Sequence, residues 1–128
     1  LLIDIYLGLQ IDIFESDRYG DFFENTVTSN LHIDGYGDAH QKLGARAFFT
    51  GNNPYEEFNT YGLEWNENEY IFYINGVETT RSTFGNGVSK EKLLPIVSLC
   101  TPDAEKLEAK GKDYKCEFIV DYVKIYQK

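Results

Sequence analysis

Tyr70-Ile71-Phe72-Tyr73-Ile74-Asn75-Gly76-Val77 reads as one β-strand, a two-residue turn and the start of the next strand. Asn and Gly both accept the positive φ that the tightest hairpin turns demand, and β-branched and aromatic residues flank them. Working upstream, residues 60–65 pair with 70–74 as a hairpin around Asn66-Glu67-Asn68-Glu69. Downstream, the Asn75-Gly76 turn leads into a strand over 77–82. Further strand-like runs cover residues 26–33, 44–50, 94–100 and 117–126. Residues 3–14 alternate, with Ile3, Ile5, Leu7, Leu9, Ile11 and Ile13 on one side and Asp4, Tyr6, Gly8, Gln10 and Asp12 on the other. That period of two is a half-buried strand, broken only at Gly8, where a turn or bulge fits. Only residues 103–112, with Glu105, Lys106, Glu108 and Lys110, read as a charged loop or short helix. Short strands separated by turn signals give an all-β fold, an antiparallel sandwich or barrel.

The chain has 128 residues, enough for one domain with one core. Its ten Tyr, nine Phe and one Trp suit pleated, half-buried surfaces and supply flat faces for stacking on sugar rings. The net charge of −9, with no run of Lys or Arg, excludes nucleic acid and anionic membrane surfaces as partners. A neutral polymer or a cation fits better, although the same charge also serves solubility. No stretch is long and apolar enough to span a bilayer, and no signal peptide is legible. The absence of Met implies a processed product or a piece of something longer. Cys100 and Cys116 form no Cys-x-x-Cys pair. One disulfide or two buried thiols both fit, and the sequence leaves them open.

Gln10-Ile11-Asp12-Ile13-Phe14-Glu15 carries the chemistry. On a regular strand Gln10 and Asp12 share a face, roughly 6–7 Å apart. Glu15 has the wrong parity. One extra residue in a bulge, with Phe14 the natural choice, would restore it and line one groove with three polar side chains. Glycoside hydrolysis with retention needs two carboxyls roughly 5–5.5 Å apart, one attacking the sugar and the other acting as acid and then base. A third carboxylate between them holds the nucleophile and acts on the acid through like-charge repulsion.

The hexapeptide resembles the Glu-x-Asp-x-x-Glu signature of glycoside hydrolase family 16, in the spacing of its laminarinase-like, bulged branch. Asn30-Leu-His32-Ile-Asp-Gly-Tyr36 resembles the family's next substrate-lining strand. Phe58-Asn-Thr-Tyr-Gly-Leu-Glu-Trp65 and Tyr70 to Val77 resemble its Trp-containing hairpin, and Phe118-Ile-Val-Asp-Tyr-Val-Lys-Ile-Tyr-Gln127 its closing strand. The resemblance implies a secreted β-sandwich of the jelly-roll, concanavalin A-like kind that cleaves β-1,3- or mixed-linkage β-glucan. It places Gln10 at the nucleophile, Asp12 at the assisting carboxylate and Glu15 at the acid/base. It also implies sugar contacts for Asn30 and His32, and a structural calcium near Asp121. Trp65 is a candidate for sugar stacking, although parity shared with Tyr61 and Leu63 favours the core. His40, after a Gly/Asp-rich turn, reads as structural or exposed.

Two departures from the family pattern stand out. Gln10 keeps the size and hydrogen bonding of Glu but cannot attack an anomeric carbon. The chain as written is therefore expected to bind glycan and hardly cleave it, whether through an engineered substitution or a natural loss that leaves a lectin-like binding module. The second departure is length, because only residues 1–9 precede the signature. The chain reads as the C-terminal half of the fold, with open sheet edges and an apolar face. A missing segment, a second chain or a strand-exchanged dimer would complete the sandwich.

Overall fold

The computed structural model describes residues 9–16, 25–35, 37–84, 87–99 and 117–127. The chain divides into two compact units, residues 1–96 and 97–128.

The first unit is all-β, with two three-stranded antiparallel sheets. One has the order β1 (Gln10–Glu15), β2 (Thr26–Ile33), β3 (Gln41–Phe49). The other has the order β4 (Tyr61–Trp65), β5 (Tyr70–Ile74), β6 (Val77–Ser82). The strands expected over 26–33, 70–74 and 77–82 fall on their sequence signals, and those expected over 44–50 and 60–65 are found at Gln41–Phe49 and Tyr61–Trp65. The β5–β6 connection is the Asn-Gly turn, with φ of 51° at Asn75 and 78° at Gly76. The Asn75 side chain also ties this hairpin to its surroundings. Its Nδ2 donates to Asn59 Oδ1 at 2.8 Å, and its Oδ1 accepts from the Thr60 amide at 2.9 Å.

The two sheets pack face to face through alternate residues. Ile11 and Leu31, cross-strand partners on β1 and β2, meet Tyr70 and Phe72 of β5 in a buried cluster, with Leu9, Leu63, Phe84, Val88 and Leu93 around it. Burial of such a side chain contributes about 1.5–3 kcal/mol. Phe14 and Tyr61 extend the contact between the sheets, with ring centroids 4.0 Å apart and planes 16° from parallel. Burial, and then the nearby Tyr55, pushes the Tyr61 hydroxyl above its ordinary range.

Two expected strands are not in ladders. Residues 94–99 and 117–127 take no part in a sheet among the described residues. In the second unit Ile119, Val123, Ile125 and Tyr126 are all more than half exposed. The alternation in this segment is apolar on both faces, so as a strand it needs cover on both sides and a hydrogen-bonded neighbour. Residues 1–8, the charged stretch 103–112, and Cys100 and Cys116 lie outside the described residues.

Candidate active site

The outer face of the β1–β2–β3 sheet holds the polar residues singled out in the sequence. Gln10 opposes His32, Ile11 opposes Leu31 and Asp12 opposes Asn30. The register then shifts, so that Glu15 opposes Thr28. Two residues, Ile13 and Phe14, thus stand against Ser29 alone, and the Ser29 hydroxyl donates to the Ile13 carbonyl at 2.9 Å. This is the bulge that the spacing of the hexapeptide requires. It returns Glu15 to the face of Gln10 and Asp12, as its hydrogen bond from Asn30 Nδ2 demonstrates.

Gln10, Asp12, Asn30 and His32 are all buried, Asp12 to 1% exposure, whereas Glu15 is open to solvent. Buried polar groups need partners, and these provide for one another. Gln10 Nε2 donates to Asp12 Oδ1 at 2.7 Å. His32 Nε2 lies 3.1 Å from Asp12 Oδ2. That oxygen is fully buried and, among the described residues, accepts no aligned hydrogen bond, so the His32 ring nitrogen at 3.1 Å is an electrostatic neighbour, and a proton on Nε2 suits the carboxylate better than a lone pair there. On its other side, His32 Nδ1 meets His40 Nε2 at 2.9 Å. Asp12 lies between Gln10 and His32, and its cross-strand partner Asn30 donates to Glu15.

Gly44 makes room for this arrangement. It is the β3 partner of Asn30 at a second irregularity of register, with φ of 148°. A Cβ here would lie 2.6 Å from the Ser29 carbonyl oxygen and closer still to Asn30 Oδ1. The carbonyl is main chain and cannot swing aside. Gly44→Ala is therefore expected to destabilise the fold by about 2–3 kcal/mol, measurable as a lower urea midpoint with an unchanged slope.

The remaining site candidates lie elsewhere. Trp65 sits on β4 of the other sheet, tilted against Tyr70 with centroids 5.9 Å apart, and its Nε1 donates to the Ser89 carbonyl at 3.1 Å. The structure does not bring it to the Gln10–Glu15 face. Asp121 lies in the second unit and is exposed. Among the described residues no group of three or more His, Cys, Asp or Glu is placed to hold a metal ion. The described side chains alone do not build a calcium site around Asp121. Sequence reasoning missed His40, Gly44 and Ser29. The only signal for them is cross-strand register, which a single sequence does not display.

A bulged strand thus presents a carboxamide and two carboxyl groups on one face of a β-sheet, with Asn and His from the next strand beside them. The sequence pattern of Glycosyl hydrolases family 16 matches residues 11–99, and the chain belongs to this family. Over 64 residues, half of the chain, it is 31% identical to xyloglucan endotransglucosylase/hydrolase protein 3 of Arabidopsis thaliana. The matched stretch covers 20% of that plant protein, so the chain spans a small part of its relative's length. No solved structure matches the chain.

Proposed function

We propose that this segment carries the reaction centre of a retaining β-glucan-active enzyme, with residue 10 at the nucleophile, Asp12 assisting and Glu15 as acid/base. The observation that supports it is the bulge that brings Gln10, Asp12 and Glu15 to one face beside Asn30 and His32. Of these, Glu15 is exposed, as a group that meets a polymer must be. In the reaction, Glu15 donates its proton to the glycosidic oxygen as the C–O bond breaks. A carboxylate at position 10 forms the new bond to the anomeric carbon. Glu15, now a carboxylate, then takes a proton from the incoming acceptor, whose oxygen displaces the carboxylate. Water as acceptor gives hydrolysis; a sugar hydroxyl gives transglycosylation. The bulged signature favours β-1,3- or mixed-linkage glucan, and the name of the plant relative adds xyloglucan to the substrates for assay.

With Gln10 in place the nucleophilic step is blocked, so the chain binds glycan with little turnover. A second reading is a lectin-like module that never turns over. It is favoured by the Gln10–Asp12 hydrogen bond, in which a neutral amide satisfies the buried carboxylate. Gln10→Glu separates the two readings: recovered cleavage supports the enzyme, whereas unchanged saturable binding with no cleavage supports the module.

The proposal includes export of the protein and a calcium ion held at Asp121 with main-chain oxygens, both supported by the family resemblance alone. It also includes a second polypeptide or a strand-exchanged copy that covers the apolar segment 118–126, supported by the exposure of that segment. Native mass spectrometry of the purified chain is expected to show a species near twice 14.7 kDa, or one with an added polypeptide. A lone monomer at micromolar concentration would remove this part of the proposal.

A further inference from the structure

The mechanism above makes no use of His40, yet this side chain is built into the same row. His32 opposes Lys42 across the β2–β3 ladder. His40, two residues before Lys42, is therefore the diagonal neighbour of His32 on the same face, within reach of a long side chain. The turn that delivers it is closed by the His40 amide donating to the Gly37 carbonyl at 3.0 Å.

The two imidazole planes differ by only 4°, with centroids 5.1 Å apart and the bridging nitrogens 2.9 Å apart. The centroid distance equals the nitrogen separation plus the two centre-to-nitrogen distances of the rings. The rings therefore lie edge to edge in nearly one plane, and are not stacked face on face. A proton on one nitrogen then points along the lone pair of the other, the favourable geometry for a hydrogen bond. Its direction follows from Asp12. With the Asp12 carboxylate 3.1 Å from His32 Nε2, a proton on Nε2 is favoured over a lone pair facing the carboxylate; a neutral His32 then offers a lone pair at Nδ1, and His40 donates from Nε2.

We propose that His40 is a positioning residue for the site. It acts through His32, and holds that ring in the plane and tautomer in which Nε2–H supports the buried Asp12 carboxylate between positions 10 and 15. The directed row runs from His40 Nε2–H to His32 Nδ1, and from His32 Nε2–H to Asp12 Oδ2, with Gln10 Nε2–H closing on Asp12 Oδ1. Outer partners of this kind typically matter about 10–100-fold to the function they support. The catalytic meaning rests on the function proposed above, but the hydrogen bond itself does not.

The test is nitrogen NMR of the imidazoles in the purified chain, at a pH where both rings are neutral. Expected for the unmodified protein is a single Nε2–H tautomer of His32 and a scalar coupling between His32 Nδ1 and His40 Nε2 across the hydrogen bond. His40→Leu should return the His32 Nδ1 resonance to the position of a free acceptor and raise solvent exchange of the Nε2 proton about tenfold. His40→Gln, whose amide can still donate, should preserve both. Absence of the coupling in the unmodified protein overturns the proposal. So does a His40→Leu spectrum in which His32 is unchanged, or a His40→Gln variant that behaves like His40→Leu. In the Gln10→Glu background, His40→Leu is expected to lower kcat about tenfold with KM within about twofold, and His40→Gln to restore it. If Gln10→Glu shows no turnover, the enzymatic reading fails while the NMR result still decides the role of His40.

Discussion

Gln10→Glu is expected to raise glycan cleavage by about a thousandfold or more, the scale on which single members of a catalytic set act. The present side chain already has the length and placement of the missing group. Its Nε2 lies 2.7 Å from Asp12 Oδ1, so a Glu oxygen in that place falls in the range of an O–H···O bond. Two carboxylates so close do not both ionise, and residue 10 and Asp12 would share one proton. The neighbouring imidazole of His32 and the shared proton thus let position 10 carry charge when the sugar arrives. The assay is release of reducing ends, or transfer to a labelled acceptor, from β-1,3-glucan, mixed-linkage glucan and xyloglucan, for the chain with Gln10 and with Glu. If no substrate is cleaved while glycan binding persists, the segment is a binding module.

The second large effect concerns stability. Asp12→Ala is expected to cost about 2–6 kcal/mol, because it takes the buried carboxylate away from two donors that face it. Asp12 is among the most deeply buried side chains, and it accepts from Gln10 on one oxygen and faces His32 on the other. Truncation removes the acceptor that these two buried donors share, and each desolvated donor left without it costs about 1–3 kcal/mol. Asp12→Asn keeps one acceptor oxygen but turns its amide toward a donor, so a smaller loss, about 1–2 kcal/mol, is expected. Chemical denaturation with a common slope checks both values. A loss below about 1 kcal/mol for Asp12→Ala would mean that the polar row is held by its neighbours, with Asp12 a passenger.

These two expectations and the Gly44→Ala effect differ in what they probe. Gln10→Glu asks what the site does. Asp12→Ala asks what holds it, and Gly44→Ala asks what leaves room for it. The three changes lie on one sheet face and share partners through Asn30 and Asp12, so their stability effects are not expected to add.

Much of the architecture is a local property of the chain. Asn75-Gly76 takes positive φ at both positions because its residues tolerate it, and the alternation on either side dictates two strands whatever surrounds them. The spacing of Gln10, Asp12 and Glu15 also implied a bulge, since only one extra residue reconciles the three with one face. Sequence alone therefore determined the all-β class, the register-shifting strand and the row of polar residues on β1. Tertiary structure decided what the row touches. His40 and Gly44 join it because the β2–β3 register sets one diagonally beside His32 and the other opposite Asn30. Trp65, by contrast, faces Tyr70 on the other sheet. Residues 118–126 carry a strand-like pattern and pair in no ladder among the described residues, because a strand is completed by its neighbours and not by its own residues. Strand propensity and turn chemistry act over a few bonds. Register, and with it the company each side chain keeps, is a pairing between distant segments that a single sequence does not display.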